Sequence, residues 1–169
     1  MKTIVLLCGS NNVGKTKTLK KFFGVSLDGR LKPMQLLERI LNGKTICAVS
    51  LCSPQELSHF CLVDEVKESI EKRIQKCEEH YQNQDYTLIM PFTLSVKNGK
   101  INERCILEPI EWLKTKGFRV VSIYLRRENI RNLPLKDALM KKITSLTIES
   151  KKDEYDKQSK ELEDILRRL

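Results

Sequence analysis

Gly9-Ser10-Asn11-Asn12-Val13-Gly14-Lys15-Thr16 follows the spacing G-x-x-x-x-G-K-[ST] without a departure. Each residue type has a chemical reason to be there. Glycines admit backbone angles closed to residues with a Cβ, so successive N–H groups can turn inward around an anion. A lysine at the seventh position can bridge terminal phosphate oxygens, and a hydroxyl at the eighth can ligate Mg²⁺. The pattern predicts an anion cradle with Lys15 as its charge and Thr16 as its metal-facing group. A helix starting near Lys15 would add the positive end of its dipole to the same spot.

Such a loop works only between a buried strand and a helix. Lys2–Cys8 is a continuous apolar run ending at a glycine, the pattern of a strand covered on both faces. Lys15 to about Phe23 reads as a short helix stopped by Gly24. Residues 24–32 read as a loop, and Pro33 to Leu41 as a helix with Leu36, Leu37, Ile40 and Leu41 on one face, ending at Asn42-Gly43. Lys44–Cys52 is a second buried strand. Ser53-Pro54-Gln55-Glu56 has the form of a capping box, and steps of three and four from Leu57 to Tyr81 predict one long amphipathic helix behind it. Asp85–Leu94 and Phe118–Leu125 are third and fourth strands, with Asn98-Gly99 a turn and Glu103–Lys116 a helix between them. The tail reads either as a fifth strand over Ile143–Ile148 followed by a charged helix, Lys151–Leu169, or as one long helix from Leu135. Alternating strands and helices place all of residues 1–169 in one α/β domain with a mostly parallel sheet of four or five strands.

In this context residues 3–18 resemble the P-loop NTPase superfamily, and within it the small nucleoside- and nucleotide-kinase-like proteins. The rest of the chain agrees only in the order of its elements. The resemblance implies a three-layer α/β/α sandwich with the loop after the central first strand. It implies that Gly9, Ser10, Asn11, Asn12, Val13, Gly14, Lys15 and Thr16 bind the triphosphate of ATP and its Mg²⁺, with Thr16 as the metal ligand. Lys17 and Thr18 would lie beside the α- and β-phosphates.

These proteins usually carry an acidic residue at the end of a second apolar strand. Here Tyr86–Met90 runs on into Pro91-Phe92-Thr93 with no carboxylate, and Asp85 is at the other end. Glu56 is the substitute. It follows the Lys44–Cys52 strand, on the rim where the loop should sit, and could hold Mg²⁺ or take a proton from an acceptor hydroxyl. Its plain alternative is to complete the capping box. Phosphoryl transfer also needs cations, and Arg126, Arg127 and Arg131 follow the fourth strand, where kinase-like relatives carry lid arginines.

Composition narrows the partners. The chain has 169 residues and a net charge of +9, with nine basic against two acidic side chains in residues 1–52. That asymmetry calls for an anionic partner, and a nucleoside triphosphate satisfies it. Nucleic acid would too, but no helix-turn-helix or zinc-finger pattern is present, and aromatic residues amount to only 6%. No apolar run is long enough for a membrane span. No leader is recognisable at Met1–Cys8, and the six cysteines form no C-x-x-C pair. They are expected to be reduced, as in a cytoplasmic protein. The expected function is an ATP-dependent phosphotransferase acting on a small nucleoside- or nucleotide-like acceptor. The alternative is a partner-dependent ATPase or regulatory nucleotide-binding protein. GTP specificity is not expected, because no N-K-x-D or D-x-x-G is found.

Overall fold

The computed structural model describes residues 1–57, 62–97, 99–143 and 146–169. Its organising element is β1 (Thr3–Gly9), buried at every position. Parallel strands flank it on both sides: β4 (Thr87–Thr93) from Thr3↔Thr87 to Gly9↔Thr93, and β7 (Arg119–Arg126) from Thr3↔Arg119 to Cys8↔Tyr124. Strands β3 (Lys44–Val49) and β8 (Leu146–Glu149) extend the parallel sheet outward, and β2 (Leu36–Leu41) closes one edge antiparallel to β3. The order is β2-β3-β4-β1-β7-β8, six strands where the sequence predicts four or five.

Alternation along β1 divides the core. Ile4, Leu6 and Cys8 pack with residues of α2 (Val63–Tyr81), α3 (Arg104–Thr115) and α4 (Leu133–Lys142). Val5 and Leu7 face α1 (Lys15–Phe22) and α5 (Tyr155–Arg168). This is the three-layer α/β/α sandwich. The chain leaves β1 for one face, through α1, while β4 and β7 lead to α3 and α4 on the other. A crevice therefore opens at the C-terminal end of β1, where ligands bind in open α/β sheets.

Two expectations need correction. Residues 36–41 form strand β2, not a helix. The deciding signal is Asn42-Gly43, whose φ angles of 49° and 75° are the left-handed pair that a tight hairpin requires. Arg39 then anchors β2, donating to the Phe22 carbonyl at 2.9 Å and to Glu163 at 2.7 Å. The helix expected from Ser53 is likewise divided, into a 3-10 turn at Pro54–Leu57 and α2 from Val63. The Ser53 hydroxyl accepts the Thr93 N–H of β4 at 3.2 Å, a long-range bond in place of a role confined to the next helix. Asp64 and Glu65 thereby fall in the first turn of α2, where negative charge complements the dipole.

The tail takes the strand-then-helix form, as β8 followed by α5. A short hairpin, β5 (Val96–Lys97) with β6 (Lys100–Ile101), surrounds Gly99. His59, Phe60, Cys61, Asn98 and residues 144–145, on which parts of the sequence reading fall, lie outside the described residues. Cys8, Cys47 and Cys77 are free and buried, and Cys52 is free and exposed. Cys105 is disulfide-bonded, which corrects the expectation of uniformly reduced thiols and removes their support for a reducing compartment. Among the described residues no helix is long and apolar enough to cross a membrane.

Candidate phosphate-binding site

The loop between β1 and α1 is shaped by two left-handed residues, Asn12 at φ 63° and Gly14 at φ 91°. Gly14 is required twice over. Besides its angle, an added Cβ would meet the Tyr155 ring at 2.6 Å. Lys15 folds back over the loop and is buried, its Nζ donating to the carbonyls of Gly9 at 2.9 Å and Ser10 at 2.7 Å. The first intrahelical bond of α1 runs from the Thr18 N–H to the Gly14 carbonyl at 2.8 Å, so the amides before it belong to the helix end and its positive dipole. Beside them lies a cleft of about 530 Å³ lined by Asn11, Asn12, Gly14, Lys15, Thr16, Lys17 and Tyr155. A left-handed glycine, a helix N-terminus and a lysine converge on one cleft, an arrangement suited chemically to an anion.

Thr16 is exposed, and its hydroxyl donates to the Leu51 carbonyl at 3.1 Å. That bond ties the start of α1 to the segment after β3. The Thr16 hydroxyl is an oxygen of the kind Mg²⁺ takes, and it supplies one such donor at most. Among the described residues no cluster of three or more histidines, cysteines or carboxylates could hold a metal by itself. The backbone of Glu56 lies in the 3-10 turn of that same segment, while its side chain lies outside what is described. At the end of β4, where the resemblance implies an acid, stands a neutral cluster. Ser53 donates to Gln55 Oε1, and the Thr93 N–H reaches both Ser53 Oγ and Gln55 Oε1, the latter at 3.1 Å.

The same cluster accounts for Pro91 inside the sheet. The bonds Thr3 N–H to Tyr86 carbonyl and Leu94 N–H to Gly9 carbonyl put the even-numbered residues of β4 toward β1. Pro91 therefore faces β3, whose pairing with β4 has already ended at Cys47↔Leu88, and no ladder bond is lost.

The remaining sequence candidates separate. Thr18 is fully buried and its hydroxyl donates to Gln158 at 2.9 Å, so it joins α1 to α5 instead of lining the cleft. Lys17 does line it, with its ammonium 5.1 Å from the centre of the Tyr155 ring. Arg126 is committed to Asp137, at 3.2 Å, and to Glu149, at 3.4 Å. The hydrogen bond to Asp137 holds its guanidinium above the ordinary value. Arg127 reaches the loop but touches its backbone, donating to the carbonyls of Asn12 at 2.8 Å and Val13 at 3.0 Å. Arg131 is exposed, and its carbonyl receives the buried ammonium of Lys136 at 3.0 Å. Cys8, just before the loop, has its thiol pushed up to about 12 by burial, against the opposing charge of Lys15, so it stays protonated.

Sequence reading missed Tyr155, Ser150 and Gln158. Each acts on the loop or on α1 from more than 130 residues away, and nothing local in the chain marks them.

No family model and no curated protein matches this chain. Among solved structures it is similar to a de novo designed PLOOP2X3_50 fold protein, at 16% identity and TM-score 0.48, covering 100% of this chain and 94% of that one. A second de novo designed protein aligns at 16% identity and TM-score 0.45, over 98% of this chain and 90% of that one. A probable GTP-binding protein, engB, aligns at 11% identity and TM-score 0.42, over 99% and 100%. Likenesses this distant carry nothing about activity.

Proposed function

We propose that this protein binds the triphosphate of ATP with Mg²⁺ in the 9–17 loop and transfers the γ-phosphoryl group to a small nucleoside- or nucleotide-like acceptor. The observation that carries the reading is the convergence on one open cleft of the left-handed Gly14, the N-terminus of α1 and Lys15, whose ammonium lies over the loop. Phosphate oxygens are charged acceptors and make stronger partners for that ammonium than peptide carbonyls do. In transfer, the bond from the γ-phosphorus to the bridging oxygen breaks as one to the acceptor oxygen forms, and the acceptor proton passes to a base. Glu56 is the base we assign. Mg²⁺, held by the Thr16 hydroxyl and phosphate oxygens, would neutralise charge on the phosphates. A cytoplasmic location belongs to the same proposal, and nucleic acid is not needed to account for the basic residues at the loop.

A second reading has its own support. Arg126 is spent on Asp137 and Glu149, and Arg127 on loop carbonyls, so two of the three arginines expected to neutralise the transferring group are engaged elsewhere. An ATPase whose cation comes from a partner would fit that arrangement. A thermal-shift screen of ATP, GTP, nucleosides and nucleoside monophosphates, with and without Mg²⁺, separates the two. Stabilisation by ATP and by one acceptor favours the phosphotransferase, and stabilisation by ATP alone favours the partner-dependent ATPase. No shift with any nucleotide rejects both.

A further inference from the structure

We infer that Arg127 and Ser150 are positioning residues that set the anion-binding conformation of the loop from behind, through its backbone. The inference rests on the nucleotide-binding reading of the loop. Arg127 sits just past the end of β7 and Ser150 just past the end of β8, two neighbouring parallel strands that end on the same rim as β1. Arg127 Nη1 donates to the Asn12 carbonyl at 2.8 Å and Nη2 to the Val13 carbonyl at 3.0 Å. The Ser150 hydroxyl donates to the same Val13 carbonyl at 2.7 Å and accepts from Arg127 Nη2 at 3.1 Å. Three hydrogen bonds thus bind two consecutive peptide carbonyls to two strand ends, and a fourth joins Arg127 to Ser150.

What this does follows from peptide geometry. Every described peptide bond is trans, so each carbonyl and the N–H of the next residue point in opposite directions. Holding the Asn12 and Val13 carbonyls against Arg127 and Ser150 aims the N–H groups of Val13 and Gly14 the other way, away from the strand ends. A short loop with left-handed residues at 12 and 14 has other arrangements open to it, and the clamp selects one. Ser150 is buried, and its fixed hydroxyl orients the guanidinium. A lysine at position 127 offers one compact ammonium where the guanidinium offers a planar fork, so it should restore the function only in part.

The experiment has two arms. In the first, dissociation constants for ATP and ADP are measured by calorimetry for the native protein, Arg127→Ala, Arg127→Lys and Ser150→Ala. Arg127→Ala should weaken ATP and ADP by the same factor, about tenfold or more, with Arg127→Lys between it and the native protein. A loss confined to ATP would place Arg127 on the γ-phosphate, and no loss for either nucleotide would remove its role; either result overturns the inference. The second arm needs no nucleotide. Amide hydrogen exchange at Val13 and Gly14 in the ligand-free protein should quicken in Arg127→Ala and Ser150→Ala while exchange in β1 is unchanged. Unaltered exchange overturns the clamp even if ATP binds, and quickened exchange with no nucleotide binding in the native protein leaves the clamp standing while rejecting the nucleotide reading.

Discussion

The ring of Tyr155, in the first turn of α5, lies over Gly14 so closely that a Cβ there would stand 2.6 Å from Cε1, at a backbone φ of +91°. Two constraints therefore meet at one glycine. Gly14→Ala should lose about 1–2 kcal/mol to the backbone angle alone, with the ring clash added. That corresponds to a fall in melting temperature of about 2–4 °C per kcal/mol for a domain of this size. In a Tyr155→Ala background the clash is absent and only the angular cost remains. Equal losses in both backgrounds, measured by thermal denaturation, would show that the ring does not constrain the loop.

The neutral cluster at the end of β4 makes a second prediction. The Thr93 N–H has two acceptors, Ser53 Oγ and Gln55 Oε1. Removing either alone leaves the N–H satisfied, whereas Ser53→Ala with Gln55→Ala orphans a buried donor at a cost of about 1–3 kcal/mol. Urea denaturation should show a double-mutant loss greater than the sum of the single losses. Strict additivity would mean that the two side chains do not share this donor.

Stability should depend on Glu163 in acid. Its hydrogen bond with Arg167, and the nearby charge of Arg39, hold the carboxyl below the ordinary 4.5 despite partial burial. A depressed folded value means the unfolded chain binds the proton first, so the stabilisation is complete above pH 4.5 and is lost as pH falls through the lower folded value. The melting-temperature difference between the native protein and Glu163→Gln should hold steady from about pH 5 to 7 and shrink below about pH 4. A difference independent of pH would show that the charge of Glu163 plays no part in joining α5 to β2.

Much of the fold was legible because its strongest signals are local. The apolar run before Gly9, the glycines and Lys15 fall within a few residues, and burial on both faces of β1 follows from that run. Leu36–Leu41 misled because its apolar spacing suits a helix as well as a strand, and the hairpin was written in Asn42-Gly43 instead. Ser53 misled for a different reason. Its spacing suits a helix cap, while its hydroxyl also accepts from a strand 40 residues away, a partner that no local pattern marks. The site divides in the same way: the cradle is one contiguous segment, whereas the groups that hold it, Arg127, Ser150 and Tyr155, reach it only through the sheet order.

The most direct test of the central claim is the affinity for ATP with Mg²⁺, measured by calorimetry on the native protein and on Lys15→Ala. The account predicts saturable one-to-one binding to the native protein and a loss of about ten- to a hundredfold in the variant, the scale of a charge-assisted contact with phosphate. The circular-dichroism spectrum of the variant should match that of the native protein, so that the loss is one of affinity and not of fold. Equal affinity in the two proteins, or no binding to the native protein at millimolar ATP, would contradict it.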